Sequence, residues 1–199
     1  MMLHSIYDRG SWDRQDPVEV ADSCLRSAAA GDDSAVAELL RLCPVLKAQA
    51  DEGGDGIAAF NLGLHYANGE FLAVDIPNAV RWLRVAAKAE VTEAYPFLGN
   101  HLATLDLDEE AFEWYLFGAE AGQSNCMFVV GSWYRDGIGT SVDLVQGLRW
   151  FIAMLNEGSG DGVHEAHQLV SRMTSEEVRE AVRLAGRPFD AEVFLEQGN

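Results

Sequence analysis

Apolar side chains recur along much of the chain at i, i+3, i+4 and i+7, the spacing that places them on one face of an α-helix. Ala79, Val80, Trp82, Leu83, Ala86 and Ala87 form one such stripe. Ala111, Phe112, Trp114, Tyr115 and Gly118 form a second, and Leu148, Trp150, Phe151 and Leu155 a third. Each is preceded by a shorter stripe on another helix: Leu62 with Tyr66, Leu98 with Leu102, Val130 with Tyr134. The pattern predicts helices in pairs, an A helix followed by a B helix.

The pairs are copies of one unit. Gly63, Gly99 and Gly131 follow Leu62, Leu98 and Val130, and each is followed in turn by a tryptophan, Trp82, Trp114 and Trp150. Gly to Trp is 19 residues in the first and third units and 15 in the second, so the middle unit has lost four loop residues. A glycine inside a helix costs about 1 kcal/mol relative to alanine. Its recurrence predicts that helix A meets helix B closely at that point. Gly69 and Gly137 are placed to end helix A in the left-handed conformation. Asp75 and Asp143 are placed to cap helix B, with Pro77 in the first turn of the first of these helices. The short unit has Asp106-Leu107-Asp108-Glu109-Glu110 instead, acids where the helix dipole favours them.

The first and third units resemble the Sel-one-like repeat, a relative of the tetratricopeptide repeat, whose pattern is A-x-x-x-L-G-x-x-Y-x-x-G followed by V-x-x-D and A-x-x-W. In the loop Val74 directly precedes Asp75 and Val142 directly precedes Asp143, closer than the pattern's spacing, and Ala79 with Trp82 supplies the start of helix B. The second unit departs from it, with Leu102 for Tyr, Leu105 for Gly and Pro96 in the first turn. The resemblance implies an all-α fold, a right-handed α-solenoid of antiparallel helical hairpins. It divides the chain into an N-terminal extension (1–16), a divergent N-terminal hairpin (17–57), three repeats (58–158), a C-terminal capping hairpin (159–188) and a C-terminal tail (189–199). The capping hairpin pairs a helix from Val163 to Met173 with one opened by a Thr174/Glu177 capping box and running to about Gly186.

The family implied here organises protein complexes and carries no catalytic residues over. In a tetratricopeptide-type stack helix A lines the concave groove, through positions three before, one after and four after the central Gly. These are Phe60, Leu64 and Ala67 in the first unit, Pro96, Asn100 and Ala103 in the second, and Phe128, Ser132 and Arg135 in the third. Two aromatic rings, an amide, a hydroxyl and a guanidinium suit a peptide or helix. The competing assignment for Phe60 and Phe128 is core packing.

Charge narrows the partners. The 199 residues carry 14 Lys+Arg against 32 Asp+Glu, a net −18, with 48% hydrophobic residues to build a core. The surplus is spread as −6, −7 and −5 over residues 1–60, 61–122 and 123–199. Such a field repels phosphate and anionic headgroups, which argues against nucleic acid and membranes as partners and leaves a basic protein partner open. The start of the chain lacks a basic n-region and a long apolar stretch, and no apolar run reaches the length of a membrane span, so a cytoplasmic bacterial protein is expected.

Candidate chemistry is sparse. Cys24, Cys43 and Cys126 lack metal or redox spacing and read as small buried apolar residues. His65 and His101 share the position two after the central Gly, and His164 and His167 lie at i, i+3; with no recurring acidic or thiol ligand, packing or solvent exposure is favoured over metal. No nucleophile elbow or P-loop occurs, and Gly158-Ser159-Gly160-Asp161-Gly162 lacks the lysine of a phosphate cradle. Glu109 and Glu113 read as a solvated face. The sequence therefore predicts no catalytic residue, metal or cofactor, and a scaffold that binds a protein or peptide segment. The alternatives are an acidic immunity or inhibitor protein against a basic toxin, and a small-molecule-binding or tailoring-pathway enzyme using the groove as a pocket.

Overall fold

The computed structural model describes residues 20, 23, 42, 55–69 and 74–197. Of the divergent N-terminal hairpin (17–57), residues 20, 23, 42 and 55–57 are described, the last three at the start of the first repeat's helix A, and Cys24 and Cys43 lie outside the described residues. The chain divides into two compact units, Met1–Val91 and Thr92–Asn199. All regular structure among the described residues is helical.

In the first unit α1 (Gly56–Asn68) and α2 (Ile76–Lys88) form the first hairpin. Asp55 caps α1 through its carboxylate, which accepts from the N–H groups of Ile57 and Ala58, both at 3.0 Å. Gly69 closes the helix at φ 67°, donating its N–H to the carbonyl of His65. In the second unit the order is α3 (Ala94–Ala103), α4 (Asp108–Glu120), α5 (Ser124–Asp136), α6 (Leu144–Ala153), α7 (Val163–Val170), α8 (Ser175–Leu184) and α9 (Ala191–Gln197). A 3₁₀ turn, Met154–Glu157, extends α6, and a second, Pro188–Asp190, leads into α9. Here α3 packs on α4, α4 on α5, α5 on α6, and α6 on both α7 and α8. The expected all-α, antiparallel helical-repeat architecture is what the chain adopts.

The recurring glycine explains how closely the helices meet. A Cβ at Gly63 would lie 2.7 Å from Leu83 Cγ, one at Gly99 2.8 Å from the Tyr115 ring, and one at Gly131 2.9 Å from the Phe151 ring. These three partners occupy the same repeat position, one residue after Trp82, Trp114 and Trp150. Each hairpin is therefore a glycine notch on helix A filled by the residue that follows the tryptophan on helix B.

The loops also repeat one solution. The N–H of Asp75 donates to the carbonyl of Tyr66 at 2.9 Å, and that of Asp143 to Tyr134 at 2.8 Å. The same two aspartates then cap helix B, accepting from Asn78 N–H at 3.1 Å and Gln146 N–H at 3.0 Å. In the shortened unit Leu107 takes the capping position and donates to the carbonyl of Leu102 at 3.1 Å. It provides no side-chain cap, and Asp108, Glu109 and Glu110 fill the first turn instead.

The C-terminal hairpin has the predicted capping box, with both the Thr174 and Glu177 side chains engaged. The segment assigned as a tail carries α9. Ala191 and Phe194 of this helix are buried, and the Phe194 ring lies 5.6 Å from His167 of α7. A seven-residue helix is marginal alone and forms here by packing its apolar side against the preceding hairpin. No described helix is long and apolar enough to cross a membrane.

Candidate functional site

Of the positions that the sequence assigns to a groove, Phe60, Leu64 and Ala67 belong to the first unit. All three are half-buried on α1, while Leu62, Gly63 and His65 of the same helix are buried. In the second unit Pro96 and Ala103 are half-buried and Asn100 is exposed on α3; Phe128, Ser132 and Arg135 are half-buried on α5. Helical spacing puts Phe128, Ser132 and Arg135 in one line, at i, i+4 and i+7.

Every polar group of that row in the second unit is already oriented by the fold. The Tyr115 hydroxyl donates to Asn100 Oδ1 at 2.6 Å, joining helix A to helix B of the same hairpin. Ser132 donates its hydroxyl to the Phe128 carbonyl at 2.9 Å, back-bonding along α5. Arg135 forms a fork on Asp136, through Nε at 2.8 Å and Nη2 at 2.7 Å, and its Nη1 donates to Glu165 of α7. These bonds to Arg135 hold the Asp136 carboxyl below its ordinary range. The Phe128 ring meets Phe151 edge-on, centroids 5.6 Å apart, and retains a partly accessible face. Ser132 and Phe128 are thus joined directly, while Asn100 and Arg135 are turned toward Tyr115, Asp136 and Glu165. The partners of Arg135 and Asn100 were not legible beforehand, because Glu165 and Tyr115 lie 30 and 15 residues away and neither contact recurs in the other units.

The histidines occupy packed or surface positions. His65 is 3% exposed. Partial burial moves the His101 pKa below its usual value. The Gln168 amide lies 2.7 Å from His164 Nε2 on the exposed face of α7. Among the described residues no group of three or more His, Cys, Asp or Glu side chains is arranged to hold a metal ion. Cys126 is fully buried, and burial pushes its thiol up to about 12, far from the thiolate that metal binding or nucleophilic attack requires. A shallow cleft of about 480 Å³ lies beside α8, lined by Val145, Glu176, Glu177, Arg179, Glu180 and Arg183. Its charges are largely engaged locally: Glu180 pairs with Arg183 at 2.6 Å, Arg179 with Glu192 at 3.2 Å, and Glu177 serves the capping box.

Compared with known proteins, the chain matches the Sel1 repeat model at residues 56–91, 106–123 and 124–159. The unmatched stretch between the first two matches holds α3, the helix in which Pro96 and Leu102 depart from the repeat pattern. A solved Sel1 repeat protein from Oxalobacter formigenes is 31% identical, covering 62% of this chain and 95% of that one, with a TM-score of 0.53. A protective antigen present in uropathogenic Escherichia coli strains, displaying an SLR fold, is 19% identical over 89% of this chain, with a TM-score of 0.57. The chain spans about half of that antigen (48%), and the likeness is one of fold. No curated protein matches.

Proposed function

The chain belongs to the Sel1 repeat family, and from that premise we propose that it is a non-catalytic interaction scaffold that binds a protein or peptide segment along its A helices. The observation that carries this reading is the α5 row. Phe128, Ser132 and Arg135 form one continuous line of aromatic, hydroxyl and guanidinium groups that the core leaves half-accessible. Arg135 is held in place by Asp136 and Glu165, so its guanidinium is pre-ordered and less side-chain entropy is lost on binding. Pro96 and Asn100 contribute from α3, and Phe60 and Leu64 occupy the same register on α1. The family's role supports a protein ligand over a small molecule.

The test is co-purification of the tagged full chain from its native host, with partners identified by mass spectrometry. Ser132→Arg, which fills the row without touching the Gly131–Phe151 contact, is expected to remove the specific partner while helical content by circular dichroism stays unchanged. Recovery of the same partner at the same level by the variant overturns the groove assignment.

A further inference from the structure

The second hairpin differs from its neighbours on helix B, and the difference leaves an aromatic surface lacking the cation its neighbours possess. In the first and third repeats the tryptophan is preceded by arginine, and that guanidinium lies 4.7 Å from the ring centroid: Arg81 over Trp82 and Arg149 over Trp150. Both tryptophans are buried, 1% and 5% exposed. In the second repeat Glu113 stands in the arginine's place and Trp114 is only half-buried.

Two further exchanges build on this one. The residue three after the tryptophan is Val85 or Ala153 in the other repeats and Phe117 here, with half of its surface (50%) exposed. The residue four before the notch glycine is Ala59 or Met127 there and Tyr95 here. Tyr95 stacks on Trp114 with centroids 6.0 Å apart and planes at 22°, and Phe117 sits 5.4 Å from Trp114 and 6.2 Å from Tyr95. The result is a three-ring platform with Tyr95 as its buried floor and Phe117 as its open edge.

Carboxylates fence the platform. Glu113 and Glu120 lie at i−4 and i+3 from Phe117 and therefore beside it on the helix surface. Both are exposed. Glu110 accepts from Trp114 Nε1 at 3.5 Å. From Thr92 to Tyr134 the sequence has seven carboxylates and no Lys or Arg. Aromatic faces attract cations through their quadrupole, and a guanidinium also stacks flat on them.

We propose that this α4 face binds a cationic protein segment, with an arginine side chain seated on Trp114 and Phe117 between Glu113 and Glu120. The partner's guanidinium takes the place that Arg81 and Arg149 fill within the other repeats. A second copy of the chain is the wrong occupant, since two molecules of net −18 repel each other. An anionic membrane is disfavoured for the same reason. The surface lies on helix B and is separate from the A-helix row, so each assignment stands or falls alone.

The experiment titrates the ¹⁵N-labelled full chain with a synthetic amphipathic helix bearing several arginines, and with the same peptide carrying glutamine at those positions. Shift changes are expected at Glu113, Trp114, Phe117 and Glu120 with the arginine peptide only. Phe117→Ala is expected to weaken binding about tenfold. Glu113→Arg, which restores the internal cation of the other repeats, is expected to abolish it. Glu176→Gln, which removes an acid elsewhere on the same unit, is expected to change affinity less than about twofold. Circular dichroism checks that each variant is folded, and sedimentation that the free chain is monomeric at the concentrations used. Equal binding of the glutamine peptide, shift changes spread evenly over the acidic surface, full affinity in Glu113→Arg, or a dimer dispersed by Phe117→Ala would each overturn the proposal.

Discussion

Gly131 has no room for even one methyl group, because the Phe151 ring would stand 2.9 Å from it. Replacing it by alanine sets two opposed effects against each other. Helix propensity favours alanine by about 1 kcal/mol, while overpacking a tight core contact costs about 1–3 kcal/mol. The ring is rigid and wedged between helices, so the steric effect is expected to win, with Gly131→Ala lowering stability by about 1 kcal/mol in denaturant unfolding. In a Phe151→Leu background the same substitution should cost less, giving a coupling of at least about 0.5 kcal/mol. A Gly131→Ala variant more stable than the parent would show that the notch is not closely filled. The notch itself was legible, since a mid-helix glycine recurring at a fixed distance from a tryptophan has few other reasons to exist. Its filler was not, because Leu83, Tyr115 and Phe151 share a position but no identity. The same limit hid the α4 platform. Glu113, Phe117 and Tyr95 stand out only after Arg81 and Arg149 are seen to lie over buried rings.

The helix pair is closed by its loop as much as by its core. Asp75 and Asp143 each bond twice, by N–H back to the end of helix A and by carboxylate to the first turn of helix B. Losing the second of these bonds costs about 1 kcal/mol, and Asp143→Ala is expected to lower stability by about that amount. Leu107 occupies the equivalent position without a side-chain cap, and Leu107→Asn supplies one without adding charge beside Asp108, Glu109 and Glu110. Thermal unfolding of this variant is expected to show a gain of about 0.5–1 kcal/mol. An unchanged midpoint would mean that the acidic first turn already satisfies the helix start. These caps could be read from sequence because they are local, set by spacing within one turn. The helix α9 could not, since its seven residues form only where Phe194 finds His167.

At the scale of the whole molecule the net charge of −18 acts against the fold, whatever it contributes to partner choice. The surplus is shared along the chain, so the repulsion is long-range and sensitive to screening. The Debye length shrinks from about 30 Å at 0.01 M salt to about 3 Å at 1 M. Thermal stability is therefore expected to rise with sodium chloride over that range. Acidification tests the same idea by a second route. Between pH 7 and about 5 the most easily protonated carboxylates begin to lose charge and repulsion eases, so stability should rise slightly. Asp136 works in the opposite sense: its folded-state pKa lies below the ordinary 3.8 because Arg135 bonds its charged form. Its contribution is fully present above that value and is lost as the pH falls through the depressed one. The profile measured by urea unfolding at fixed ionic strength should consequently pass through a maximum on the acidic side of neutrality and then fall. A midpoint that declines with salt, together with stability that only decreases from pH 7 downward, would mean that local pairs such as Arg135 with Asp136 and Glu165 outweigh the diffuse field.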